Sequence, residues 1–172
     1  VTLGKGYTPN LKKEHDHIFF SGPLDSYFDY KFGRLGYRTL EFKKEYHNGD
    51  YQGCAVMNYA NEEVPFTRIT EHKHFAPWEE YEKTIIFKEY SKYCEPNDEP
   101  YYPIRQAEEK SLLDKYERVA LEERNVSFIG RLGTYRYLDM DQTLKEALNT
   151  VKLTLKSIEL NSSIPVFPYK SF

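Results

Sequence analysis

Between Tyr37 and Tyr90 lie four short strand-like segments, Tyr37–His47, Gln52–Tyr59, Phe66–Phe75 and Thr84–Tyr90, set apart by turn signals. The connections are too short for a parallel crossover, which needs a dozen or more residues, so these segments predict an antiparallel sheet. Asn48-Gly49-Asp50 predicts a hairpin between the first two. The flanks read differently. His17-Ile18-Phe19-Phe20, closed by Ser21-Gly22-Pro23, predicts a buried strand ending in a turn. Leu24 to Gly36 is dense in aromatics and carries no clear period, and Glu95 to Pro103 reads as a proline-bearing loop. Gln106–Arg124 predicts a helix with Leu112, Leu113, Tyr116, Val119 and Ala120 on one stripe. Val126–Ile129 is a short apolar strand ending at Gly130. A second helix follows, in which Leu144, Leu148, Val151, Leu155 and Ile158 recur at helical spacing, and a tail begins at Asn161.

Strand and helix layers at the two ends, with a sheet between them, predict an α/β fold interrupted by an inserted antiparallel sheet, α+β in class. The α/β part lacks partner strands. Val1 in place of an initiator Met likewise suggests a piece of something longer. The 172 residues suffice for a buried core. A net charge of −3 argues against binding duplex nucleic acid, which leaves a basic footprint. No apolar run approaches the roughly 18 residues of a membrane span. Thr2 to Lys13 is mostly polar, unlike a secretory signal. Cys54 and Cys94 make no disulfide framework, so the expectation is a reducing, cytoplasmic setting.

Strand alternation picks out polar residues on apolar faces. Asn58 shares a face with Cys54, Val56 and Ala60; Glu89 with Ile85 and Phe87; Arg38 with Leu40 and Phe42. Burying such groups unpaired costs several kcal/mol, so each needs a partner, a ligand or an exposed edge. Arg68 lies on a face with Phe66, Thr70, His72 and His74. His72 and His74 alternate, as do His15 and His17, but no Cys or carboxylate is spaced to complete a metal site, and none is expected. Neither cysteine sits in a CxxC or beside an activating base, so both read as core or surface thiols.

The densest constellation is Gly130-Arg131-Leu132-Gly133-Thr134-Tyr135-Arg136-Tyr137-Leu138-Asp139-Met140-Asp141, joining a strand to the last helix. A helix start capped by Asp139 or Asp141 is the simpler reading. The same terminus exposes amides and a partial positive charge, and so favours an anion or an electron-rich carbonyl. With Arg68, Arg131, Tyr101 and Tyr102, this points to a phosphorylated, ring-bearing small molecule, since tyrosine both stacks and hydrogen-bonds.

These segments resemble the UDP-galactopyranose mutases, particularly the bacterial branch. The resemblance runs through Gly22-Pro23-Leu24-Asp25, Tyr27-Phe28-Asp29-Tyr30 and Leu35-Gly36-Tyr37-Arg38-Thr39-Leu40. It continues through Gln52 to Tyr59, Pro65 to Phe75, Lys88-Glu89-Tyr90, Pro100-Tyr101-Tyr102-Pro103 and Gly130 to Asp141. Missing are the family's strand–GxGxxG–helix unit, for which Gly4-Lys5-Gly6 is no substitute, its helical domain with the substrate lid, and one of two active-site arginines. The resemblance therefore implies a C-terminal portion. Residues 1–34 and 105–160 would be pieces of an FAD-binding, Rossmann-like domain, residues 35–104 an antiparallel β-sheet domain, and 161–172 a tail.

By position, the resemblance implies that Arg68 neutralises the UDP diphosphate, Tyr102 and Tyr137 hydrogen-bond it, and Asn58 lines the substrate pocket. Asp139 would sit near galactose and flavin, Arg131 and Met140 at FAD. The implied chemistry is isomerisation of UDP-galactopyranose and UDP-galactofuranose through a covalent bond from N5 of reduced FAD to galactose, in the service of cell-surface glycan synthesis. The implied partners are the UDP-sugars, the missing N-terminal half and a second copy of the chain, and the fragment alone is expected to be inactive. Two other readings stand beside this one: an independent UDP-sugar-binding module, and a purely structural piece.

Overall fold

The computed structural model describes residues 1–104 and 107–169. In chain order the elements are α1 (Leu11–Glu14), β1 (Ile18–Phe20), α2 (Leu24–Tyr27), β2 (Tyr37–Asn48), β3 (Val56–Asn58), β4 (Arg68–Glu71), a 3-10 turn (His72–Phe75), β5 (Lys83–Tyr93), β6 (Tyr102–Pro103), α3 (Ala107–Leu121), β7 (Val126–Phe128), α4 (Gly130–Gly133) and α5 (Met140–Glu159). The fold mixes α and β, and backbone contacts divide it in two. Val1–Tyr37 and the described residues from Pro100 onward form one compact unit; Arg38–Glu99 form the other.

In the first unit β1 and β7 run parallel, with Ile18 opposite Val126 and Phe20 opposite Phe128. Phe128 is fully buried, and the ring of Tyr27 stands edge-on to it at 5.0 Å. The α3 stripe sends Tyr116 and Ala120 fully into this core. The Tyr116 hydroxyl donates to the Gly33 carbonyl at 2.6 Å and accepts from the Phe32 amide at 3.1 Å. Gln106, the predicted start of α3, lies outside the described residues. Asp25 is buried and accepts from the Ser26 and Leu35 amides. Burial outweighs those bonds and pushes its pKa above the ordinary carboxylate range.

Strand β1 is not buried along its length, since Phe19 is exposed. The tail lies along β7: the Phe128 amide donates to Val166 O at 2.8 Å, and Phe167 stacks on Phe128 at 5.4 Å. In α5 the apolar stripe faces outward, with Leu144, Leu148, Val151, Leu155 and Ile158 between 56% and 66% exposed. Its inward side carries Glu146, Thr150 and Ser157. Arg136 grips Glu146 with both terminal nitrogens, Nη1 lying 3.1 Å from Oε1.

The second unit is an antiparallel sheet in the order β3-β4-β5-β2. The predicted hairpin between the segments that became β2 and β3 does not form. Strand β2 pairs with β5 instead, from Arg38 opposite Tyr93 to Asn48 opposite Lys83. Residues 49–55 form a loop that carries the chain to the far edge of the sheet. Its positive-φ residues are glycines, Gly49 and Gly53. The Glu71 carboxylate pins it, accepting from the Tyr51 amide at 3.1 Å and the Gln52 amide at 2.9 Å. Those amides are spent on a side chain, which shortens the predicted Gln52–Tyr59 strand to Val56–Asn58. The predicted Phe66–Phe75 strand likewise narrows to Arg68–Glu71 and then turns, so His72 and His74 do not alternate on a strand.

Candidate functional site

Registers across β3, β4 and β5 place Asn58 opposite Arg68 and Arg68 opposite Glu89. Three polar residues from three predicted strands therefore form one row on one sheet face. Arg68 Nε donates to Asn58 Oδ1 at 2.8 Å, and Arg68 Nη1 stands 3.7 Å from Glu89 Oε2. The Thr67 hydroxyl donates to Glu89 Oε1 at 3.2 Å. The Arg68 side chain is 41% exposed while that of Glu89 is only 13% exposed, so the carboxylate anchors a cation that still meets solvent. Arg38, flagged on the same grounds, donates instead to Ser91 Oγ at 3.0 and 3.1 Å.

In the first unit the constellation from Gly130 to Asp141 folds around Arg131. Its Nε donates to the Leu138 carbonyl at 3.0 Å, joined there by Nη2, and Nη1 reaches the Tyr101 carbonyl at 3.4 Å. The rings of Tyr102 and Tyr137 stack at 5.8 Å, and the guanidinium lies 4.7 and 5.1 Å from their centroids. Arg131 thus organises Tyr102, Tyr137 and the approach to α5. Asp139 occupies the N-cap position of α5 but makes no side-chain capping bond, so the simple capping reading fails for it. Asp139 and Met140 are both exposed. A cavity of about 120 Å³ lies beside Arg136 and Glu146, and Tyr102, Arg131, Tyr137, Asp139 and Met140 do not line it.

The histidines part company. His72 packs its ring against Phe87 at 5.1 Å. His17 Nε2 lies 2.9 Å from the Ser127 hydroxyl, which itself donates to the Pro165 carbonyl, and burial lowers the His17 pKa. His74 turns toward Asp50 and Glu71, with Nε2 at 3.1 Å from Asp50 Oδ2 and 3.5 Å from Glu71 Oε2. Spacing along one strand gave no sign of this cluster, because Asp50 arrives from the loop that displaced the expected hairpin. The Cys54 thiol donates to the Val56 carbonyl and the Cys94 thiol to the Asp98 carbonyl, each at 3.6 Å.

A sequence model described as UDP-galactopyranose mutase matches residues 1–137. A probable UDP-galactopyranose mutase of Klebsiella pneumoniae is 54% identical over 97% of this chain and 44% of its own length. A dTDP-fucopyranose mutase of Escherichia coli is 52% identical over 84% of this chain and 39% of its own. A UDP-galactopyranose mutase of Mycoplasma genitalium is 32% identical over 74% of this chain and 33% of its own. The chain belongs to the UDP-galactopyranose mutase family. It spans less than half the length of these relatives and corresponds to their C-terminal part.

Proposed function

We propose that this chain is the C-terminal part of a flavin-dependent isomerase that interconverts UDP-galactopyranose and UDP-galactofuranose, and that it turns over only with the rest of that enzyme. The observation carrying this reading is Arg68, fixed by Asn58 and Glu89 on one side and open to solvent on the other. A guanidinium held in that way presents directed donors to a diphosphate without first losing its own freedom. Arg68 is assigned to neutralise the diphosphate, Asn58 to line the substrate pocket, and Tyr102 and Tyr137 to hydrogen-bond the diphosphate.

FAD is assigned to the start of α5. The donor set fits, because the first amides of this 20-residue helix receive no cap from the Asp139 side chain and so suit an electron-rich carbonyl. When bound, reduced FAD would supply the nucleophile for the sugar. Arg131 adds positive charge and holds the helix approach, and Met140 borders the cofactor. Asp139 acts by position, since its charge opposes an anionic flavin.

The parallel pair β1–β7 and the bare face of α5 support residues 1–34 and 105–160 as pieces of a larger Rossmann-like FAD domain, with 35–104 as the sheet domain. The missing N-terminal half, or a second copy in its absence, would cover that face. No described helix is long and apolar enough to cross a membrane. A chain with only two cysteines, and so no disulfide framework, fits a cytoplasmic enzyme.

Arg68→Ala in the full-length enzyme tests the assignment. Activity is expected to fall by about a hundredfold or more with FAD retained. Normal kinetics, or a flavin-free protein, contradicts it. The Escherichia coli relative favours a second reading, a dTDP-6-deoxysugar as substrate, and assaying both sugar nucleotides with the full-length enzyme separates the two.

A further inference from the structure

Asp50, Glu71 and His74 each offer one ligand atom, and these atoms all lie within 4.8 Å of one another. From their geometry we propose a structural site for a first-row divalent transition-metal ion, Zn²⁺ by preference, at the base of the loop 49–55. The site lies wholly within the sheet unit and is independent of the mutase assignment.

A tetrahedral ion with N and O ligands at roughly 2.0–2.1 Å requires ligand atoms about 3.3 Å apart. His74 Nε2 stands 3.1 Å from Asp50 Oδ2 and 3.5 Å from Glu71 Oε2, on either side of that value. One imidazole nitrogen with two carboxylate oxygens suits zinc better than magnesium or calcium, which prefer oxygen alone. Water completes the fourth position.

The ligands are held in place as metal ligands are. Glu71 is 0% exposed, and each of its oxygens accepts one backbone amide, from Tyr51 and Gln52. Asp50 Oδ1 accepts the Gly53 amide at 2.8 Å, which leaves Oδ2 for the ion. The Thr84 hydroxyl, 2% exposed, lies against the Glu71 carboxylate yet finds no partner in hydrogen-bonding geometry. An ion on Glu71 would polarise that carboxylate and give the hydroxyl a fixed orientation.

Charge points the same way. Two carboxylates converge here, and the ammonium of Lys73, which acts on Asp50, is bonded to the Gly49 carbonyl at 2.9 Å. A dication bound between them would balance both carboxylates. Access comes through an open hollow lined by Lys73, His74, Pro77, Glu79, Glu80 and Glu82, acidic on balance. The bound ion would tie the loop to the 3-10 turn after β4.

The test is titration of the EDTA-treated, untagged chain with Zn²⁺ against a chromophoric chelator, followed by X-ray absorption at the zinc edge. One ion per chain is expected, with a first shell of nitrogen and oxygen and no sulfur. Asp50→Asn, on the exposed loop, and His74→Gln should each weaken binding by about tenfold or more, while His72→Gln should not change it. Circular dichroism checks that each variant is folded; if His74→Gln is not, Asp50→Asn decides. Absence of saturable uptake, a sulfur shell, or affinity unchanged in Asp50→Asn overturns the proposal.

Discussion

Asn58 and Glu89 each look misplaced when their own strand is read alone, and Arg68 explains both once the strands are paired. Their mismatch with apolar neighbours was legible in the sequence; the register that joins them was not, because it depends on which strands pair. Glu89 is a positioning residue in this account. Glu89→Gln in the full-length enzyme should keep the bond from Thr67 but release Arg68, raising KM more than it lowers kcat. A fall of about tenfold in kcat/KM, equal to about 1.4 kcal/mol, is expected from steady-state kinetics. Tyr116 makes a simpler case. Tyr116→Phe leaves the Gly33 carbonyl and the Phe32 amide without their partner, and thermal denaturation should show a loss of about 1–3 kcal/mol. Asp25 gives a pH signature. Its folded pKa is raised, so it binds a proton more readily folded than unfolded, and its contribution to stability fades as pH rises through the folded pKa. Relative to Asp25→Asn, the native chain should gain stability as pH falls from neutrality toward about 4. Parallel melting curves across that range would contradict this.

Elements were legible where a period was long and clean. The β2 and β5 segments, the core of α3 and the stripe of α5 all follow from alternation or helical spacing. The turn Asn48-Gly49-Asp50 misled, because Gly49 and Gly53 do adopt positive φ but serve a longer loop that crosses to the far edge of the sheet. A buried carboxylate, Glu71, competes with strand pairing for the amides of that loop, and alternation carries no trace of such a competitor. The inward face of α5 is a similar case: Arg136 neutralises Glu146, so a polar side packs inward while the apolar side stays outside. Helix α4 also depends on close approach. A Cβ on Gly133 would lie 2.7 Å from the Phe20 carbonyl, a backbone atom that cannot rotate away. Gly133→Ala should therefore cost about 1–3 kcal/mol, read as a lowered midpoint in urea. An unchanged midpoint would show that α4 is free to shift.

For the molecule as a whole, the outward stripe of α5 matters most. Leu144, Leu148, Val151, Leu155 and Ile158 together expose more apolar surface than one helix of a finished domain usually leaves bare. The isolated chain should associate, and light scattering should report dimers or larger species that Leu148→Lys with Leu155→Lys returns toward monomer. A monodisperse native monomer would contradict this. The same surface, in a chain covering 44% of its Klebsiella relative, fits the proposal that the catalytic parts are divided between this chain and the rest of the enzyme. The most direct measurement is turnover of UDP-galactofuranose by the purified chain with chemically reduced FAD, beside the full-length enzyme under the same conditions. Product is expected from the full-length enzyme and none from the chain alone. Steady product formation by the chain alone would contradict it.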